Sequence, residues 1–291
     1  MSTSLWRICG GWSPIVRSLR MLSDGASNGL VKRELLNDSS IVHLILNSPK
    51  KRNALSLAMI QALHKELKEA ESLEKARVVI LSAEGPAFSS GHDLKELRSS
   101  EGLEKHKTMF ESCNAMLAQI QNMSLPVIAE VNGIAAAAGC QLVATCDIVI
   151  AGKSSKFSTP GAKVGLFCST PGIALARAVP RKVALDMLMT ADYISAEQAM
   201  QAGLISRLVD DDKVHEETMK VAQKVASMSR TVISLGKNFF YTQVQLPVTD
   251  AYRMGGRVMV DNLRLADAQE GIDAFIGKRA PNWTHTNKKV H

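Results

Sequence analysis

Two segments built on one local plan constrain this chain more than anything else in it. Pro86-Ala-Phe-Ser-Ser-Gly-His-Asp-Leu-Lys-Glu-Leu97 follows the β-rich apolar run Val78–Leu81, and Val131-Asn-Gly-Ile-Ala-Ala-Ala-Ala-Gly-Cys-Gln141 follows Val127–Val131. Each run passes through a turn with Gly and is expected to open a helix. Such a turn leaves backbone N–H groups without intrahelical acceptors and adds the positive end of the helix dipole. Two of them facing each other can cradle one developing oxyanion. The small residues Ala135–Gly139 suit a carbonyl approaching the main chain to about 3 Å, where larger side chains would obstruct it. Taken without further context, the same string is a tightly packed helix start with alanine against a strand.

The rest of the pattern is α/β. Leu30–Leu36 and Ile41–Leu46 read as strands joined by Asn37-Asp38-Ser39-Ser40, a turn composition. Ser56 can cap a helix in which Leu57, Ile60, Leu63, Leu67 and Ala70 recur at helical spacing. A strand at Val78–Ser82 and a helix over Leu103–Met123 follow, the latter ending before Pro126 as residues preceding proline do. Strand, turn and helix then repeat through Val127–Val131, a helix to Cys146, and Ile148–Ala151. From Pro180 the pattern is helical: Lys182–Thr190, Ser195–Ala202, Lys213–Met228, Thr231–Gln243 and Thr249–Ile276. A change of architecture is expected near Leu204, giving a core over 30–203 and a helical region over 204–291.

Composition excludes several classes. With 291 residues, 46% of them hydrophobic, the chain can bury one sizeable core. No apolar run approaches the roughly 20 residues that span a bilayer, so a soluble protein without a membrane span is expected. Cys9, Cys113, Cys140, Cys146 and Cys168 show no paired spacing and the seven histidines no zinc-ligand spacing. A reduced compartment and no metal follow. The formal charge of +7 includes Arg7, Arg17 and Arg20, which precede the first acid, Asp24. What remains, about +4, is dispersed and free of interleaved aromatics, a poor nucleic-acid footprint. Met1–Leu22 carries Arg and Ser, lacks acids and mixes Leu5, Trp6, Ile8 and Ile15 among its cations. That is the composition of a mitochondrial presequence rather than of a secretory signal, and residues 23–29 read as a linker. A disordered tail is the alternative.

These residues, together with Leu46-Asn-Ser-Pro-Lys-Lys-Arg-Asn-Ala-Leu55, Cys146-Asp-Ile148, Ala199-Met-Gln-Ala-Gly-Leu-Ile-Ser206 and Glu270-Gly-Ile-Asp-Ala-Phe-Ile-Gly-Lys-Arg-Ala-Pro281, resemble the crotonase (enoyl-CoA hydratase/isomerase) superfamily over about Leu30–Trp283. The resemblance implies a spiral of strand–strand–helix repeats and a C-terminal helical region that trimerises, with hexamers as dimers of trimers. It implies an acyl-CoA thioester as substrate or ligand, with no further cofactor. Its oxyanion donors fall on the backbone N–H groups of His92 and Ala138. The His92 imidazole can be an acid or base near neutral pH; the plainer reading is that it points away while its N–H does the work.

What the family pattern lacks here is its acids. The two glutamates with which hydratases of the family activate water fall on Gln141 and Gly161, and no Asp or Glu occurs between Asp147 and Asp186. Gln141 can orient a water but cannot take its proton. Losing one acid–base group lowers rates typically 10²–10⁴-fold. The substitutes are weak. Asp93 reads as a helix cap, Asp147 as structural and Glu84 as solvated; Cys140 and Cys168 have no evident His partner, and Ser169 and Thr170 can at most hold water. Three readings stay open: a fatty-acid-metabolism protein that binds acyl-CoA in a hydratase-like site, a non-catalytic regulatory binder, and a decarboxylase or thioesterase working from the cradle. For the CoA phosphates the resemblance points to Lys95, to Lys50, Lys51 and Arg52, and to Lys278 and Arg279, the last pair often acting across a subunit boundary.

Overall fold

The computed structural model describes residues 29–290. The expected presequence, 1–22, and all but the last residue of the expected linker lie outside the described residues.

The fold opens with β1 (Val31–Leu36) and β2 (Ile41–Leu46), an antiparallel pair in which Leu36 faces Ile41. Asn37, Asp38 and Ser39 turn between them at φ of 50, 54 and 70°, a region Asn and Asp tolerate well. A 3-10 turn at Pro49–Lys51 leads to α1 (Leu57–Ser72), capped by the Ser56 hydroxyl, which accepts from Met59 N at 3.3 Å. Then come β3 (Val78–Ala83), β4 (Ala87–Ser89) and α2 (Leu103–Asn122). They are followed by β5 (Val127–Val131), β6 (Ile134–Ala136) and α3 (Ala138–Thr145). A third round supplies β7 (Ile148–Gly152), β8 (Lys156–Ser158), a 3-10 turn at Pro160–Val164 and α4 (Ser169–Ala178). The remainder is α5 (Arg181–Thr190), β9 (Ile194–Ser195), α6 (Ala196–Gln201), β10 (Arg207–Val209), α7 (Val214–Ala226), α8 (Arg230–Gln243), α9 (Val248–Leu263) and α10 (Ala266–Ile276).

Strands β3 to β8 make the spiral. In each pair β3/β4, β5/β6 and β7/β8, the first strand enters a six-stranded sheet, β1-β2-β3-β5-β7-β10, and the second a four-stranded sheet, β4-β6-β8-β9. The large sheet is parallel from β2 to β10 and covered on both faces, as parallel sheets require. Val42, Leu44, Val79, Leu81 and Ala129 join the core formed with α1 and α2. Ile41, Val78, Ile80, Ile128 and Ile150 alternate to the opposite face and pack with Val214, Val221 and Ala222 of α7.

Three expectations change. The single helix read over Thr249–Ile276 is α9 and α10, broken where Leu265 turns extended (φ −72°, ψ 139°). There Ala266 N donates to Lys288 O and Val290 N to Arg264 O, so the C-terminal tail supplies the partners at the break. Helix also begins before Pro180, in α4, where Pro171 sits in the first turn and its missing N–H has no intrahelical acceptor to lose. Finally, β10 and α7 lie beyond Leu204 yet belong to the large sheet and its cover.

Candidate active site

Strand pairing brings the two turns together. β4, β6 and β8 run parallel, with Ser89 opposite Ala135 and Ala136 opposite Ser158. Their C-terminal ends therefore emerge side by side, delivering Ser90–His92, Ala137–Ala138 and Thr159–Gly161 to one edge, the usual place for a ligand in an α/β sheet. Glycine permits the approach. A Cβ at Gly91 (φ +88°) would lie 2.7 Å from Ala137 Cβ and 3.2 Å from Ala138 N, and one at Gly139 would lie 2.4 Å from Ser89 O.

The second turn is held in a demanding conformation. Ala137, the N-cap of α3, has φ 49° and ψ −119°, a region that strains any residue with a Cβ and is found where function maintains it. It is fixed by Ala137 N donating to Ser158 O at 2.9 Å and Gln141 N to Ala137 O at 3.0 Å. Ala138 is then the first residue of α3, and neither its N–H nor that of His92 finds a protein acceptor among the described residues. The first turn opens differently from expectation. It leads into a four-residue 3-10 turn, Leu94–Leu97, whose cap Asp93 accepts from Lys95 N at 3.1 Å, and α2 begins only at Leu103. Of the two turns, only the second therefore opens directly into an α-helix, α3, whose dipole points at the site.

A cavity of about 600 Å³ lies between the turns, with Ser90, His92, Ala137, Ala138 and Gly161 in its lining. Leu94, Leu97, Phe110, Val164, Leu166 and Phe167 contribute its apolar walls, and among the described residues no carboxylate lines it. A second cavity of about 350 Å³ shares Ser90, His92 and Leu94 with the first and adds Lys51, Asp93 and Lys95. The first cavity is lined mainly by apolar side chains, and the neighbouring second one carries two lysines beside Asp93.

The His92 ring is folded back on the protein. Its Nδ1 lies 3.1 Å from Leu55 O, and its ring meets Phe110 edge-on at 5.3 Å. Burial lowers its pKa, against the opposing effect of the Leu55 hydrogen bond, so the ring is held neutral. Nε2 is sealed from solvent and has no partner, which keeps it from taking a proton from water in this arrangement. Gln141 differs from its expected role: it is 5% exposed, its Oε1 is sealed and unpartnered, and it is not among the cavity-lining residues. Gly161 does line the cavity. Its N–H is directed to Cys168 Sγ at 3.3 Å, and a Cβ there would lie 2.1 Å from Leu166 O.

The expected CoA-phosphate residues divide. Lys51 and Lys95 share the second cavity, Lys51 Nζ standing 3.9 Å from Asp93 Oδ2. Arg52, left-handed at φ 51°, lends its carbonyl to Ser90 N at 3.0 Å without lining either cavity. Lys278 and Arg279 line neither cavity, and Arg279 is engaged by both oxygens of Glu270, at 2.6 and 2.8 Å.

Two positioning residues escaped notice in the sequence. Asn53 is fully buried at φ 48°; its Nδ2 donates to Glu84 O and Ala87 O at 2.9 and 2.8 Å, and its Oδ1 accepts from Ser48 N at 2.8 Å. Ser89 Oγ donates to Asn53 O at 2.8 Å and accepts from Gly91 N at 3.2 Å, tying the Lys51–Arg52 loop to the first turn. Both lie inside the segments Leu46–Leu55 and Pro86–Leu97 that carry the resemblance, but nothing in the sequence marked their side-chain roles. Among the described residues the thiols offer no nucleophile. Burial raises the Cys168 pKa and pushes Cys140 up to about 12. Among the described residues, no group of three or more His, Cys, Asp or Glu is arranged to hold a metal, and no helix is long and apolar enough to cross a membrane.

Comparisons with known proteins agree with this architecture. The human enoyl-CoA hydratase domain-containing protein 3, mitochondrial, is 54% identical over 245 residues, 84% of this chain and 81% of that protein. Its Danio rerio counterpart is 47% identical over 277 residues, 95% of each. The crystal structure of the human protein superposes with a TM-score of 0.85 at 52% identity, covering 87% of this chain and all of that one. An enoyl-CoA hydratase from Mycobacterium smegmatis gives 0.84 at 41%, covering 88% and 99%. The Enoyl-CoA hydratase/isomerase family matches residues 37–286, and with these parallel strand ends and paired turns the chain belongs to the crotonase family.

Proposed function

We propose that this chain is a mitochondrial acyl-CoA-binding protein that holds a thioester in a hydratase-like site without the acid–base pair of a hydratase. One observation carries the reading: the cavity between the two turns contains the family's oxyanion positions, His92 and Ala138, and, among the described residues, no carboxylate. The thioester oxygen would accept from both amides, each worth about 3–4 kcal/mol when the oxygen becomes an enolate. The pantetheine–phosphate arm would leave past Lys51 and Lys95 through the adjoining cavity. No further cofactor is called for.

Water activation is the missing half. A hydratase must remove a proton from water and deliver one to C2. Here Gln141 Oε1 and His92 Nε2 are both sealed, and Gly161 has no side chain. The relatives named mitochondrial and the acid-free, Arg-bearing N-terminus support the matrix as location. Exposed apolar side chains on the C-terminal helices, Val248, Tyr252, Phe275 and Ile276 at 72, 81, 86 and 72% exposure, support trimer or hexamer assembly through that region.

The test is incubation of purified protein with crotonyl-CoA, and separately with methylmalonyl- and ethylmalonyl-CoA. Binding without hydration is expected. Hydration at the rate of an ordinary hydratase refutes the claim about the acids, and release of CO₂ replaces the reading with decarboxylation.

A further inference from the structure

The walls of the larger cavity bear on which acyl group it accepts, a question that rests on the acyl-CoA reading above. The cavity holds about 600 Å³, the room of some twenty water molecules at about 30 Å³ each. A methylene has a similar volume, so a two- to four-carbon acyl group leaves most of that space unfilled. The outer wall is the loop after Gly161, where Val164, Leu166 and Phe167 stand 58, 49 and 55% exposed. Leu94, 54% exposed, belongs to the same lining. Apolar side chains clustered around an open cavity gain from an occupant that removes them from water.

Lys163, His106 and the His92 Nδ1 in that lining are already engaged, and the Ser90, Ser169 and Thr170 hydroxyls that complete its polar part carry no charge. Lys163 Nζ pairs with Asp192 Oδ1 at 3.0 Å on the surface. The His92 Nδ1 is on Leu55 O and the His106 Nε2 on Arg98 O, at 3.1 and 3.0 Å. Cys168 Sγ accepts from Gly161 N. Among the described residues of that lining no unpaired cation awaits a carboxylate at the far end of an acyl chain, and an unpaired carboxylate desolvated in such a cavity is strongly disfavoured. The cationic residues lie in the adjoining cavity instead, across Ser90, His92 and Leu94. The two neighbouring cavities therefore match an amphiphile with a polyanionic end and a long apolar end.

We infer that this site selects uncharged aliphatic acyl chains of about eight carbons or more, and that the loop carrying Val164, Leu166 and Phe167 is the element that sets this preference. Leu166 N donates to Gly161 O at 2.9 Å, so the turn at Gly161 that removes the acid is the same turn that seats the apolar wall.

The experiment is calorimetric titration of the full protein with CoA, then acetyl-, butyryl-, octanoyl- and dodecanoyl-CoA below their micellar concentrations, and with succinyl-CoA. Affinity is expected to rise about two- to fourfold per methylene through octanoyl, with succinyl-CoA more than tenfold weaker than butyryl-CoA. Phe167→Ala, and separately Val164→Asp, should weaken dodecanoyl-CoA about tenfold and leave CoA itself unchanged; both positions are exposed, so folding is retained. CoA binding with affinity flat from acetyl to dodecanoyl, or succinyl-CoA equal to butyryl-CoA, overturns the inference and leaves the acyl-CoA reading standing. Loss of both CoA and dodecanoyl affinity in the wild-type protein overturns that reading, and the inference with it.

Discussion

Adding one methyl group at Gly161 tests whether the absent acid is a local loss or part of the main-chain packing. A Cβ at this position would sit 2.1 Å from Leu166 O, 2.8 Å from Cys168 Sγ and 3.2 Å from Leu166 C. Relieving the first contact moves the Leu166 carbonyl by about 1 Å, which strains or breaks the 2.9 Å bond from Leu166 N to Gly161 O. The lost hydrogen bond is worth about 1 kcal/mol and the overpacking about 1–3 kcal/mol. Gly161→Ala should therefore destabilise by about 2–4 kcal/mol, lowering Tm by roughly 4–8 °C for a chain of this size. Scanning calorimetry at fixed protein concentration measures it. Gly236→Ala is the control: nothing lies within 4 Å of that Cβ in mid-α8, and helix propensity predicts a gain of up to about 1 kcal/mol. A Gly161→Ala protein as stable as wild type would refute the reasoning. The same crowding implies that Gln141→Glu with Gly161→Glu rebuilds the loop instead of placing two carboxylates, so crotonyl-CoA hydration should stay at background.

Three further outcomes follow from the structure. Ala137→Gly should relieve the strained turn and raise stability by about 1 kcal/mol, seen as a rise in Tm, because φ 49° with ψ −119° suits glycine; no change or a loss would count against strain at that position. Asp147→Ala should cost about 3–5 kcal/mol in denaturant melts, because it removes the charge partner of buried Lys237, whose Nζ donates to Asp147 Oδ2, Ile120 O and Leu125 O at 2.7, 2.7 and 2.8 Å; adding Lys237→Met should recover part of that. The stacked His43 and His215, 5.9 Å apart, should make stability fall on both sides of neutrality. The Glu130 hydrogen bond raises the His215 pKa above its ordinary 6.5, so its contribution is full below 6.5 and lost as pH rises through the folded value. Burial lowers the His43 pKa, so stability falls as pH drops below about 6.5 toward its folded value. Thermal midpoints from pH 5 to 9 report both, and His215→Gln should flatten the alkaline side while reducing the acid-side loss by a smaller amount, because His215 adds to the lowering of the His43 pKa.

Several elements were legible because their cause is local. Ser56 caps α1, and the 3.6-residue spacing of Ile60, Leu63, Leu67 and Ala70 puts them on the buried face. Other features were misread for equally physical reasons. The helical pattern from Thr249 to Ile276 runs through Arg264-Leu265, and what breaks it is the tail at Lys288–Val290, distant in sequence. The first turn carries Asp93 as a cap, as expected, but caps only a 3-10 turn. Asn53 gave no periodic signal because its role is a set of hydrogen bonds to Glu84, Ala87 and Ser48.

The chain's residues alone determine which groups are available: small residues at both turns, two amides with no competing side chain, a Gln and a Gly at the acid positions, and lysines nearby. Those are properties of residue type and spacing, which survive without coordinates. Only the tertiary structure decided what these groups do to one another. Parallel pairing of β4, β6 and β8 sets His92, Ala138 and Gly161 at one edge, packing seals Gln141 Oε1 and His92 Nε2 away from water, and the loop after Gly161 supplies an apolar wall. The reason is that access to solvent and the meeting of distant strand ends depend on packing between segments, which no local pattern encodes.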